Sequence, residues 1–336
     1  MTRARLWLDP LLASLGALLL TAVVLGALGH HPGRALLALW QGAFGDQIAL
    51  EATLLRAVPL LLIGLGTALS FRAGIWNIGG EGQLAVGALL ATAFATRFLP
   101  DVSALVAVPV LLLAGALAGG LLGGLAAELR NRRSVSEVLS TLMLNFIGLH
   151  AVAWAVRGPL QEAARTYPQS DALADHARLA LIPGLGRVHY GLLLALLLAP
   201  LVWALLFRSA AGLRLRAVGS NAAAARFAGI STERETRRVM WLAGALAGLA
   251  GAIEIVGVTG RLFQNLSPGY GFTAIAVALL ARLHPLAVVA SALFFAALAS
   301  GGGAMQRVAG VPSVAVQMIE AFVILISAGF AVVARR

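Results

Sequence analysis

Apolar stretches of about 18 residues or more recur along the chain, each long enough to cross ~30 Å of hydrocarbon as a helix. Short polar segments separate them. The pattern predicts an all-α polytopic membrane protein of about ten spans, near residues 10–29, 48–70, 78–98, 102–127, 136–157, 188–207, 238–258, 271–283, 285–302 and 314–333. Two longer polar connections, 158–187 and 208–237, break the rhythm. Within the second, Ser220 or Asn221 is placed to cap a short helix through AAAARFA, and Gly229 to stop it. Thr232 and Glu235 have the spacing of a capping box opening the next span.

Polar residues inside the apolar runs carry the candidate chemistry. Glu137, Thr141 and Asn145 stand at i, i+4 and i+8, one face of the fifth span, and such a stripe belongs against protein or a water-lined path. Glu137 is also the fourth position of a capping box begun by Ser134. Small residues recur at helix-contact spacing in LAGALAGGLLGG (113–124) and LAGALAGLAG (242–251), a pattern that allows close backbone packing. The two runs resemble each other, and spans two to five and seven to ten run in opposite directions, which suggests an inverted repeat.

The stretch FRAGIWNIGGEGQ (71–83) holds four glycines beside an Arg, an Asn, a Glu and a Gln. At the matching place in the second half, QNLSPGYGFTAIAVALL (264–280) is Gly-rich and interrupted by Pro268. Paired interruptions of this kind point to a central substrate path, with Asn77, Glu81 and Gln83 as its hydrogen-bonding groups. The alternative is that Arg72 snorkels at the inner interface while Glu81 satisfies helix-end amides.

Composition and charge narrow the function. With 60% hydrophobic residues and a mean hydropathy of +0.90, residues 1–336 read as one transmembrane domain with no attached soluble domain. The basic N-terminus, MTRARLWLDP, shows no evident cleavage site and reads as part of a retained first helix. All 25 basic residues are Arg, so a nucleotide-binding P-loop with its Lys is excluded. Sixteen of the arginines fall on one side, eight on the other and Arg56 within a span, which places both termini in the cytoplasm, 208–237 inside and 158–187 outside. The net charge of +11 lacks the aromatic interleaving of a nucleic-acid surface. Without Cys there are no disulfides or thiolate metal sites, the six His form no metal-spaced cluster, and no nucleophile, base and orienting group stand at enzymatic spacings.

FRAGIWNIGGEGQ, SEVLSTLMLNFI, LRLRAVGSNAAAARFAGI, LAGALAGLAGA, SPGYGFTAIAVALLARLHP and the GVP near residue 311 together resemble permease subunits of bacterial ABC importers for nucleosides, within the wider set of simple-sugar and branched-chain amino-acid permeases. The likeness runs from about residue 42 to 330, and Gln83 after EG looks more like the longer of the two nucleoside permeases. It implies a type II ABC importer fold in the bacterial inner membrane and a second, related permease subunit. It further implies a cytoplasmic ATPase that holds ATP and Mg, with no cofactor on this chain, and a lipoprotein that captures the small-molecule substrate. It places the coupling helix at AVGSNAAAARFAGI, with Gly219, Asn221, Ala225, Gly229 and Ile230 matching. At ARLHP (281–285) the family more often has a Gly after the leucines. A pentose or hexose permease is the close alternative. A proton-coupled secondary transporter using Glu81, Glu254 or Glu320 is the distant one.

Overall fold

The computed structural model describes residues 3–99, 102–312 and 314–333, so Arg335 and Arg336 lie outside the described residues. The helices are α1 (Arg3–Ala27), α2 (Pro32–Phe44), α3 (Gln47–Arg72), α4 (Gly80–Arg97), α5 (Ala104–Arg133), α6 (Glu137–Arg157), α7 (Gly191–Arg208), α8 (Ala210–Ser220), α9 (Ala222–Phe227), α10 (Thr232–Ile253), α11 (Tyr270–Leu280), α12 (Pro285–Ala309) and α13 (Val314–Val333). Among the described residues six helices are long and apolar enough to cross a membrane: α3, α5, α6, α7, α12, and α10 with its π-helical continuation Glu254–Thr259. The remaining expected spans fall on α1, α4, α11 and α13, of which α11 has only 11 residues. The unexpected α2 starts with Pro32 in its first turn and lays Ala35, Ala38 and Ala43 against its neighbours, of which α12 is the chief one.

Helix α10 is the centre of the bundle, packed on α5, α4 and α3. The two small-residue runs meet there. A Cβ at Gly119 would overlap the Gly244 carbonyl, and one at Gly248 the Gly115 carbonyl, so the two backbones are in direct contact. Between helices in lipid, such van der Waals contact supplies the attraction that water exclusion supplies elsewhere.

The two polar connections lie at opposite ends of α3. Near its start, Glu51 accepts from the Arg187 amide (3.2 Å). At its finish, Gly74 meets Gly219, whose Cα lies 3.3 Å from where a Gly74 Cβ would stand. The 158–187 segment is zipped to the chain after α10: the Ser170, Leu173 and Leu179 amides donate to Leu262, Gly260 and Val256. Glu162 clamps this layer by accepting from Gln169 Nε2 (2.7 Å), the Tyr167 amide (2.9 Å) and Arg261 Nη1 (3.1 Å). The bonds from Gln169 and Tyr167, with the Arg261 charge, hold its carboxyl below the ordinary value of 4.5. The buried His189 ring fills the space left by Gly191 and Gly257.

Candidate functional site: a hub of two helix starts and its link to a surface helix

Helix α3 ends at Arg72, residues 73–79 cross the bundle, and α4 starts at Gly80; from the other half of the chain α11 starts at Tyr270. The two starts touch. A Cβ on Gly271 would overlap the Glu81 amide, and one on Gly80 would lie 3.4 Å from the Gly271 Cα. The first turn of a helix leaves its N–H groups without intrahelical partners and carries partial positive charge. Here each start borrows its acceptor from another helix: Glu81 Oε2 on α4 accepts from the Gly271 amide of α11 (2.7 Å), and Asn145 Oδ1 on α6 accepts from the Gly82 amide of α4 (2.8 Å). Asn145 Nδ2 also donates to the Ile78 carbonyl (2.8 Å), and Thr141 Oγ1 accepts from the Ile78 amide (3.2 Å). The Asn77 and Gln83 amides exchange two hydrogen bonds of 3.2 Å, and Asn77 Oδ1 accepts from the Gly79 amide (2.9 Å).

Asn77, Glu81, Gln83, Thr141 and Asn145 thus belong to one hub, each no more than 5% exposed. Glu81 serves helix-end amides, as the alternative reading of the sequence had it. Its carboxylate is committed to the α11 start. The Glu320 side chain lies outside the described residues.

Glu137 stands apart, paired with Arg130 on α5 at 2.7 Å. The capping box with Ser134 does not form. The reversal from α5 to α6 takes only residues 134–136, which drives Ser134 into the left-handed region (φ 54°) at the end of α5, and Ser136 takes the N-cap place without a side-chain bond. Arg72 is half-buried and turned to the protein. Its guanidinium donates to the Leu283 (3.2 Å) and Arg282 (3.1 Å) carbonyls and lies 5.7 Å from the Phe207 ring centre. It thereby braces a turn where Arg282 and Leu283 both adopt positive φ, 52° and 57°, at a cost of about 1–2 kcal/mol each. A Gly in that turn would remove part of the strain.

At the α3 end of the hub the chain meets the 208–237 segment. A Cβ on Gly219 would overlap the Arg72 carbonyl, and Gly74 needs its φ of +72°, so two glycines let α8 press directly on the start of the crossing. Asn221 rather than Ser220 caps α9, accepting from the Ala224 amide (3.0 Å), and Gly229 ends it at φ +78°. The cap of α10 is Ser231, accepting from the Arg234 amide (3.2 Å), in place of the Thr232 to Glu235 box; Glu235 is buried and drawn to Arg214 (3.3 Å) and Arg238 (2.8 Å). Ala225 is turned inward and buried, Ile230 is half-buried, and the Ile230 amide donates to the Ala225 carbonyl (3.0 Å). The outward face of α9 belongs to Phe227, which is 94% exposed. Sequence reasoning passed over Phe227, although the one aromatic side chain in an Ala-rich helix was the available signal. A cavity of about 410 Å³, with Gly74, Arg130, Asn131, Gly219, Asn221 and Arg226 among its walls, separates α9 from the crossing.

A crossing segment joined to two helix starts and pressed on by α8, which leads into the capped surface helix α9, is the geometry on which the comparison with known proteins can be set. The branched-chain amino acid transport system / permease component family matches residues 49–329. The chain belongs to this permease family. The permease is 38% identical over 327 residues to the glucose ABC transporter permease protein TsgB13 of Haloferax volcanii, covering 94% of this chain and 85% of that one. It is 35% identical over 322 residues to the guanosine ABC transporter permease protein NupP of Bacillus subtilis, covering 95% and 92%. A second guanosine permease protein of that bacterium, NupQ, is 31% identical over 264 residues, covering 74% and 79%. No solved structure matches the permease.

Proposed function

We propose that the permease is one of two related membrane subunits of an ABC importer for nucleosides, in the bacterial inner membrane. The observation that carries this reading is the similarity to NupP sustained along nearly the whole of both chains. That NupQ also matches supports a second permease related to this one as its partner. In this reading about ten spans form an inverted repeat of the type II importer kind, both termini lie in the cytoplasm, and a lipoprotein delivers substrate from outside. A cytoplasmic ATPase, which holds ATP and Mg, receives α9 with Phe227 foremost. Its movement passes through the Gly219 to Gly74 contact into the hub, where Asn77, Glu81, Gln83, Thr141 and Asn145 set the positions of α4, α6 and α11 around the path. Glu137 stiffens the α5 to α6 reversal beside it. The similarity to TsgB13 favours a simple sugar as the second reading.

The test is uptake by proteoliposomes holding the permease, its partner permease, the ATPase and the lipoprotein. Radiolabelled guanosine should accumulate only with ATP, and unlabelled glucose should not compete. Accumulation of glucose in place of guanosine would transfer the assignment to a sugar importer, and uptake without the ATPase would overturn the ABC reading.

A further inference from the structure

Away from the hub, a cavity of about 440 Å³ lies among α3, the π-helical turn, the start of α11 and the 158–190 segment. Small-molecule sites occupy ~300–1,000 Å³. Its charged lining is Arg56 from α3, Glu254 from the π-helical turn, and Arg178 and Arg187 from the polar segment, with Tyr270 at the α11 start. Glu254 is only 7% exposed, yet among the described residues no hydrogen bond or ion pair reaches its carboxylate. Arg56 is the cation facing it, and among the described residues Arg56 itself reaches only Ser300 Oγ, at 3.4 Å. Arg187 is drawn off to Glu51, at 3.7 Å.

A carboxylate that opens on a cavity without a protein donor takes its hydrogen-bond partner from whatever fills that cavity. The lining limits what could supply the donor. An ammonium would satisfy Glu254 but face three arginines; a phosphate would satisfy the arginines but face Glu254. A hydroxyl donates to the carboxylate and accepts from the guanidinium at once. Two adjacent hydroxyls would engage both carboxylate oxygens, while Ala52, Leu55, Val258 and the Tyr270 ring offer apolar surface to the carbon skeleton. We propose that this cavity binds the vicinal hydroxyls of a pentose or hexose unit. The inference rests on the importer reading, and a nucleoside's ribose and a free sugar share this chemistry.

The permease has no cysteine, so Val258→Cys, a cavity-lining position that is 40% exposed, gives a single labelling site on this chain, read from its own band. Its rate of reaction with a maleimide is measured in the assembled transporter without lipoprotein, so that no transport is required. Guanosine or D-ribose should slow labelling about tenfold at ~10 times the half-protecting concentration. The analogue 2′,3′-dideoxyguanosine, which lacks the diol, should not. Protection by D-glucose and not by guanosine would uphold the diol site and assign it to a hexose. Glu254→Gln keeps the shape of the site and should raise the half-protecting concentration at least tenfold in both the presence and absence of Arg56→Met. Normal elution of each variant complex confirms assembly; should a variant fail to assemble, the diol against dideoxy comparison in the parent decides alone. Failure of every diol to protect, or equal protection by the dideoxy analogue, would overturn the site. Protection without ATP-dependent uptake would sink the importer reading and leave the cavity standing; uptake without protection would do the reverse.

Discussion

Asn145→Leu removes the side chain that joins α6 to the start of α4. The residue is 2% exposed and makes two hydrogen bonds of 2.8 Å, one accepted from the Gly82 amide and one donated to the Ile78 carbonyl. Leucine has a similar volume and supplies neither bond, so two buried backbone groups lose their partners. In water each orphaned group would cost about 1–3 kcal/mol. Within a membrane, where the unfolded reference keeps other partners, hydrogen bonds measure about 0.6 kcal/mol on average and 1.7 at most. Two bonds therefore amount to about 1–3 kcal/mol, and at roughly 2–4 °C per kcal/mol the detergent-solubilised complex should melt about 2–12 °C lower. Asn145→Asp retains the acceptor for Gly82 and should fall between the two. Melting is followed by size-exclusion chromatography after heating, and substrate uptake is measured on the assembled complex. Assembly should persist while uptake drops. If the leucine variant melts and transports like the parent, the trans-cap at Asn145 holds nothing in place and the hub loses its link to α6.

Two further expectations concern α9 and the orientation of the chain. Phe227→Ala should weaken association with the ATPase roughly thirtyfold, the equivalent of about 2 kcal/mol for an exposed aromatic anchor, as read by co-purification; unchanged binding would remove α9 from the docking surface. Gly229→Val should weaken the same association through backbone strain of at least ~1 kcal/mol, because no atom lies within 4 Å of the new Cβ and only the φ of +78° resists it. Ala225→Glu, by contrast, should disturb folding of the segment, since Ala225 faces inward. For orientation, Cys at the exposed Ala223 should label only from the cytoplasm and Cys at the exposed Thr166 only from outside, whereas the buried Ser170 should resist label from either side. Opposite labelling would invert the proposed topology.

The sequence by itself determined what rests on neighbours along the chain. The positions of the long helices follow from apolar runs, a cap for α9 at Ser220 or Asn221 and its stop at Gly229 from side-chain and backbone preferences within a turn, and the two glycine-rich interruptions from their own composition. The stripe of Thr141 and Asn145 was legible because helical period alone puts them on one face. What those polar groups bind was decided only by the fold. Glu81 and Gly271 are 190 residues apart in sequence, and Asn145 and Gly82 are 63 apart, so no local pattern could pair them. Local signals failed where a longer-range partner won: Thr232 and Glu235 have capping-box spacing, but two arginines hold Glu235 and leave the cap to Ser231. Likewise the partners of Arg72, the carbonyls of a strained turn more than 200 residues later, are set by the fold and not by its neighbours along the chain. A buried polar group takes whatever partner packing brings within hydrogen-bond reach, and packing is a property of the folded chain.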